Sequence, residues 1–151
     1  MKTQSRNQDK QRAIFSYQCV GSFVNENRDE NQKRYRAYIR SIPSMILNNG
    51  LGSTIAFMFS KRLKKEGEVY NQIGENIFNW LREEQNRYLI ALENKDKAED
   101  KLKELTDKVI YLNSSEYRAT TNELLALFNW LKRFADGMIE GDKEDGKKEK
   151  K

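Results

Sequence analysis

The chain has 151 residues, of which 34% are charged, and a formal net charge of +5. It contains no histidine and a single cysteine, Cys19. Histidine-based acid–base catalysis and an internal disulfide framework are therefore excluded, the commonest metal ligand is missing, and no cofactor is predicted. The length predicts one domain, and the composition, with one proline, favours helices. The polar N-terminus has no secretory signal, which predicts a cytoplasmic protein.

The positive charge is concentrated at the beginning of the chain. Residues 1–40 contain nine basic and four acidic side chains, which equals the whole net excess. A clustered excess of basic side chains is typical of a surface that binds a polyanion, although a merely soluble helix can show the same composition.

The first helix is predicted over residues 9–25, after a flexible N-terminus at residues 1–8. Its apolar positions form two neighbouring stripes, the first at Ile14, Tyr17, Gly21 and Val24 and the second at Phe15, Cys19 and Phe23. A helix that is apolar on more than one side is predicted to pack on more than one side. Cys19 is interpreted as a small core residue.

The second helix is predicted over residues 29–41, with an apolar and a basic side. The apolar side consists of Tyr35, Tyr38, Ile39 and Ile42. Lys33, Arg36 and Arg40 form one row on nearly the opposite side, because residues three and four apart are neighbours on a helix. This row is either the solvated back of the helix or a ridge that contacts phosphates.

Residues 41–60 contain no charged side chain. The stretch is too polar to span a membrane, so we predict that it is the buried centre of the helical core. Pro43 is predicted to begin a short helix, and Gly50 to end it in a left-handed conformation. A further helix is predicted over residues 51–62. The basic run that follows, Lys61, Arg62, Lys64 and Lys65, either complements the helix dipole or extends the basic surface.

The middle of the chain predicts two more helices. After a break at Gly67, an amphipathic helix is predicted to Leu81, and Tyr88, Leu89 and Leu92 mark its continuation or a separate helix. Residues 93–101 are predicted to be a loop or the exposed start of a helix over 99–112. The hexapeptide at 77–82, IFNWLR, resembles LFNWLK at 127–132, which we interpret as two helices facing one core.

The last helix is the strongest prediction. Asn113 and Glu116 have the spacing of a capping box, so the helix is predicted from there to about Met138. Its apolar side chains cover most of the circumference, as expected at the centre of a bundle or against a partner. Residues 140–151 are predicted to be a disordered charged tail. Together the patterns predict an all-α, compact bundle of about five to seven helices at residues 9–139.

Two blocks of the sequence resemble the small subunit of type III-B CRISPR effector complexes, which is the fifth subunit of the Cmr complex. The first block is YIRSIPSMILNNGLGSTIAF at residues 38–57, and the second is YRATTNELLALFNWLKRFA at residues 117–135. Their order and spacing also fit the family, over about residues 10–138. The resemblance implies a helical bundle without catalytic residues, whose copies stack beside the backbone subunits along the guide–target RNA.

The leading hypothesis is therefore a non-catalytic subunit that offers a basic surface to RNA. Its partners would be the backbone subunit, neighbouring copies of itself and the guide RNA–target RNA duplex, with no membrane contact. The isolated chain is predicted to be monomeric or weakly self-associating. No catalytic or metal-binding residue is predicted. The nine candidate RNA-binding residues are Lys33, Arg36, Arg40, Lys61, Arg62, Lys64, Arg118, Lys132 and Arg133.

Three alternatives differ in class from this hypothesis. A purely protein–protein adaptor would direct the same basic face toward acidic neighbouring subunits. A small helical nuclease is disfavoured by the missing histidine and by carboxylates that are not grouped as metal ligands. A helix-turn-helix DNA-binding protein is disfavoured because the helix after Gly50 lacks side chains suited to base edges.

Overall fold

The structure is a computed structural model that describes residues 2–141, with side chains from Ser5 onward. These residues form six α-helices and two short 3-10 turns, and no β-strand occurs among them. The helices are α1 (Lys2–Glu26), α2 (Asp29–Asn49), α3 (Leu51–Lys61), α4 (Glu68–Leu81), α5 (Ala98–Val109) and α6 (Ser114–Met138), and the 3-10 turns are Lys65–Gly67 and Glu84–Asn86. The predicted all-α fold class is thus confirmed. The predicted tail lies outside the described residues from position 142 onward.

Helix α1 differs from its prediction in length and in orientation. It begins at Lys2, seven residues before the predicted start. Its buried side chains include Val20 and Phe23, whereas Ile14 and Tyr17 of the predicted first stripe are 42% and 56% exposed. The prediction that both stripes pack was therefore wrong for this pair, because α6 contacts Tyr17 only through the Phe134 ring and much of both side chains stays in solvent.

Helix α2 is continuous from Asp29 to Asn49 and contains Pro43, so the predicted boundary at Pro43 was wrong. An internal proline removes one backbone hydrogen bond and costs about 3 kcal/mol. Ile42 and Ile46 on either side of it are buried, and each contributes about 1.5–3 kcal/mol. These two side chains continue the buried row of Tyr35 and Ile39. A continuous helix therefore buries more apolar surface than a helix broken at Pro43 would.

The corner between α2 and α3 is formed by Gly50, as predicted. Its φ of 89° is positive, but its ψ of 160° lies in the glycine-only extended region and not in the predicted left-handed helical one. The Gly50 N–H donates to the carbonyl of Ile46, and the Gly52 N–H donates to the Tyr117 hydroxyl at 2.7 Å. The corner is therefore fastened to the first turn of α6.

The charge-free stretch at residues 41–60 is buried on one side only. Ile46 and Ile55 belong to the core, and Met45 and Phe59 pack against it. Leu47, by contrast, is 72% exposed, so the predicted burial holds for one side of the stretch and not for the other. The stretch therefore has a core side, which excludes charge, and an exposed side that is polar without being charged.

The chain between α4 and α5 is not helical, in contrast to the prediction for Tyr88, Leu89 and Leu92. Side chains bond to its backbone in place of helical partners: Arg82 donates to the carbonyl of Leu92, and Asn86 donates to that of Trp80. Leu89 and Ile90 are still buried, so this segment closes one end of the core. Helix α5 then begins at Ala98, close to the predicted start.

Helix α6 begins with the predicted capping box. The Asn113 side chain accepts from the Glu116 N–H at 2.8 Å, and the Glu116 carboxylate accepts from the Asn113 N–H at 3.3 Å. Helix α6 lies between α1 and α2, while α3, α4 and α5 pack against one another and α3 and α4 also contact α2. One outer side of the molecule is therefore formed by α1, α6 and α2 in that order.

A buried carboxylate joins the two groups of helices. Glu123 of α6 is 9% exposed and accepts hydrogen bonds from Arg12, Trp80 and Gln8. The shortest of these joins Arg12 Nε to Glu123 Oε2 at 2.7 Å. The hydrogen bond with Glu123 raises the pKa of Arg12, so the guanidinium remains charged. A buried charge of this kind is tolerated because every neighbouring donor points at it.

Candidate nucleic-acid interface

Helices α2 and α6 bring five of the nine predicted residues to one face. Arg36 and Arg40 of α2 both pair with Asp136 of α6, with N–O distances of 3.3 and 3.8 Å. Lys33 lies one turn before Arg36 on the same row and is exposed. Lys132 and Arg133 lie one turn before Asp136 on α6 and are also exposed. We call Lys33, Arg36, Arg40, Lys132 and Arg133 the α2–α6 basic face.

The α2 residues of this face line an open groove of about 400 Å³. Its lining consists of Lys33, Arg36, Ala37, Arg40, Ser41, Glu140 and Gly141. Most of this lining is polar or basic, and the described end of the chain closes one side of it. A groove with this composition fits an anionic group better than an apolar one.

Asp136 is the residue of this face that the sequence analysis missed. It neutralises part of the charge of Arg36 and Arg40, whose side chains are 17% and 47% exposed. No pattern in the sequence predicted the contact, because residues one hundred positions apart meet only once α2 has packed along α6. The remaining cations are different: none of the ion pairs within residues 5–141 includes Lys33, Lys132 or Arg133.

The three candidates at the end of α3 form a separate group. Arg62 donates to the carbonyl of Phe59 at 2.8 Å, and its guanidinium lies 3.7 Å from the centre of the Phe59 ring. The Lys61 ammonium lies 5.5 Å from the centre of the Phe57 ring. Lys64 is exposed. Arg62 is therefore held by its own helix, whereas Lys64 is available to a partner.

Arg118 lies at the other end of α6 from the basic face. It is exposed and follows Tyr117, the residue that fastens the α2–α3 corner. Fourteen residues separate it from Lys132, which corresponds to about 21 Å along the helix. The structure thus separates the nine candidates into three groups rather than one.

Residues 2–141 contain no group of three or more acidic or cysteine side chains that could hold a metal ion. Burial, with a smaller effect of Glu75, raises the pKa of Cys19 to about 12, so this thiol is a poor nucleophile at neutral pH. Among the described helices, none is long and apolar enough to cross a membrane.

Comparison with known proteins identifies the family. A family model described as CRISPR-associated protein (Cas_Cmr5) matches residues 8–138. The chain belongs to the Cmr5 family. The resemblance noted in the sequence, to the small subunit of type III-B CRISPR complexes, is therefore confirmed. Membership in the Cmr5 family implies a structural subunit whose partners are other Cmr subunits in CRISPR defence.

A solved structure agrees with the fold. The crystal structure of a CRISPR-associated Cmr5 family protein from Thermus thermophilus is 22% identical in sequence, with a TM-score of 0.65. The match covers 88% of this chain and 98% of that one. At this identity the likeness establishes the helical fold, and the roles of individual cations must be argued from the chain itself.

Proposed function

We propose that this Cmr5 family member is a non-catalytic subunit that stacks along the backbone filament and supports the guide–target RNA duplex with its α2–α6 basic face. The observation that supports the proposal is the convergence of Lys33, Arg36 and Arg40 with Lys132 and Arg133. The two sets lie almost a hundred positions apart in the sequence, yet the pairing of Arg36 and Arg40 with Asp136 brings their helices side by side. The three α2 residues also line one groove. In this proposal the lysines and arginines replace counterions on phosphates, and base pairing alone reads the sequence.

In this proposal, Asp136 competes with RNA phosphates for the two arginines of α2. Its carboxylate holds Arg36 and Arg40 together in the absence of RNA. A phosphate that enters the groove competes with this carboxylate for the same guanidinium groups. The RNA therefore exchanges one anion for another at these two residues, and its neighbouring phosphates also meet Lys33 and Lys132.

The proposal is tested by charge reversal in the assembled complex. The Lys33→Glu/Lys132→Glu variant should bind target RNA more weakly, and its salt slope should fall by about 0.7–0.9 for each phosphate that is no longer neutralised. The Lys97→Glu/Lys103→Glu variant is the matched control, because it changes the net charge equally at exposed positions around α5. Asp136→Asn should strengthen binding. Equal slopes for the two double variants would contradict the proposal.

A second function, a purely protein–protein adaptor, is favoured by the uncharged exposed side of residues 41–60, where Leu47 is largely exposed. In that case the basic face meets acidic neighbouring subunits. Assembly of the complex without RNA separates the two functions. If Lys33→Glu/Lys132→Glu blocks assembly under these conditions and the control does not, the adaptor is the correct description.

A further inference from the structure

A second feature lies on the same side of the molecule as the basic face. Three aromatic rings form a continuous row between α1 and α6, which we call the aromatic row: Tyr17, Phe134 and Trp130. The rings of Tyr17 and Phe134 meet edge to face with their centres 5.4 Å apart, and those of Phe134 and Trp130 stack at 5.9 Å. Tyr17, at the outer end of the row, is 56% exposed.

Tyr17 is not part of the core, although Phe134 of the same row packs against it. The core side of α1 is supplied by Ser16, Val20 and Phe23, all of them buried. Tyr17 lies about 90° around the helix from this side, on an outer row with Lys10 and Gly21 at spacings of seven and four residues. A Cβ atom added at Gly21 would have nothing within 4 Å, so there is open space one turn beyond the tyrosine.

Two cations belong to the surroundings of the aromatic row. The Arg133 guanidinium lies 5.6 Å from the centre of the Trp130 ring, and Lys10 is exposed two turns before Tyr17. The nearest carboxylate, Asp9, is already occupied, because it accepts from the Trp130 indole at 2.9 Å and from Arg12 at 3.2 Å. The surroundings of the row therefore favour an anionic occupant over a neutral one.

Helix α6 connects the row to the basic face. Trp130 and Phe134 lie on the α1 side of this helix, whereas Lys132 and Asp136 lie on the α2 side, and Arg133 lies between them. An aromatic surface beside a track of cations is the arrangement by which proteins hold single-stranded nucleic acid: the cations contact phosphates and the rings stack on bases.

We propose that Tyr17 is a stacking platform for an unpaired base of a single-stranded RNA segment, whose phosphates are contacted by Lys10 and Arg133. The inference rests on the proposed function and adds to it a second RNA form, because the base faces of a duplex are not available for stacking. It assigns to the α1–α6 side of the molecule an unpaired stretch of RNA, and to the α2–α6 basic face the duplex.

The test uses the full chain and a single-stranded RNA of about 12 nucleotides that contains 2-aminopurine, at low salt. Stacking on Tyr17 quenches the fluorescence of this base analogue. Tyr17→Ala should weaken binding about 5- to 100-fold and remove the quenching, whereas Tyr17→Phe, which keeps the ring, should retain both. Tyr111→Ala is the matched control, because Tyr111 is 82% exposed and lies in the uncharged segment 109–115.

Two further measurements keep the result interpretable. Tyr17→Leu preserves an apolar contact with Phe134 but has no π-face, so it should lose quenching while its melting temperature stays near that of the natural chain. A duplex of the same length, bound by the assembled complex, should be insensitive to Tyr17→Ala and sensitive to Lys33→Glu/Lys132→Glu.

Several outcomes would overturn the stacking proposal. These are failure of the natural chain to bind or quench the single strand, unchanged binding by Tyr17→Ala, and an equal loss in Tyr111→Ala. If duplex binding still responds to the lysine reversals, only the stacking proposal fails and the proposed function stands. If Tyr17→Ala blocks assembly without RNA but leaves single-strand binding unchanged, the aromatic row is a protein contact.

Discussion

The two similar hexapeptides at residues 77–82 and 127–132 have the same core pattern in different surroundings. In both, the first, second and fifth residues are buried: Ile77, Phe78 and Leu81 in α4, and Leu127, Phe128 and Leu131 in α6. The fourth residue differs. Trp80 is 1% exposed and donates to the buried Glu123 at 3.0 Å, whereas Trp130 is partly exposed and donates to Asp9 at 2.9 Å.

This difference shows what a short motif determines and what its neighbours determine. The spacing of apolar residues sets which side of the helix faces the core. Whether the tryptophan next to that side is also covered depends on the adjacent helices. Phe15 of α1 covers Trp80, with ring centres 5.1 Å apart, while Trp130 lies at the edge of the contact between α1 and α6, where Asp9 accepts from its indole. One tryptophan therefore stabilises the fold and the other is available for contacts.

The largest expected effect comes from truncating the two tryptophans in parallel. Trp80→Ala should lower the free energy of unfolding by about 3–5 kcal/mol, because it leaves a large cavity and removes a donor from Glu123. Trp130→Ala removes a partly exposed ring and should cost about 1 kcal/mol. Denaturant titration of both variants measures the difference. Equal losses would mean that the two hexapeptides have equivalent environments after all.

The next effect concerns the carboxylates that the two indoles donate to. Glu123→Ala should cost about 3 kcal/mol, because it leaves the Arg12 guanidinium, a partly buried charge, without its main partner. Asp9→Ala removes a half-exposed partner of the same arginine and of Trp130, and should cost at most about 1 kcal/mol. Thermal unfolding of the pair checks the ranking. A larger loss of stability for Asp9→Ala than for Glu123→Ala would contradict this ranking, because the exposed carboxylate would then matter more than the buried one.

Much of this fold could be predicted from the sequence, because the ends and apolar sides of helices depend largely on residues that are close together in the chain. The capping box at Asn113, the corner at Gly50 and the apolar side of α2 depend on residues close together in the chain, and all three are present. The helix through Pro43 could not be predicted, because its stability depends on tertiary burial of Ile42 and Ile46.

The remaining errors also have tertiary causes. The segment around Leu89 is apolar and was predicted to be helical, yet side chains of Arg82 and Asn86 bond its backbone in another conformation. For the candidate site, the row of Lys33, Arg36 and Arg40 follows from helical spacing alone. Its pairing with Asp136 does not, and neither does the exposure of Tyr17, since both depend on which helices are neighbours.

The smallest expected effect concerns the reactivity of Cys19. It is a sensitive measure of whether α1 stays packed over the hexapeptide at residues 77–82 of α4. Cys19 is the only thiol of the chain and lines a groove with Phe15, Glu75 and Asn79. Burial, and secondarily Glu75, raises the pKa of Cys19 from 9.0 to about 12. At pH 8 the folded chain should therefore contain about a thousandfold less thiolate than the unfolded chain, and should react correspondingly slowly with a disulfide reagent.

The pH dependence separates closure from simple inaccessibility. Because the thiol of the folded chain titrates near pH 12, its reaction rate should keep rising about tenfold per pH unit between pH 8 and 11. In denaturant the rate should level off near pH 9. Because the pKa of the thiol is higher in the folded chain than in the unfolded chain, burial of the protonated thiol contributes fully to stability below about pH 9. This contribution is lost as the pH approaches 12. A rate for the folded chain that already levels off near pH 9 would show that α1 opens away from α4. The hexapeptide at residues 77–82 would then be exposed as readily as the one at residues 127–132.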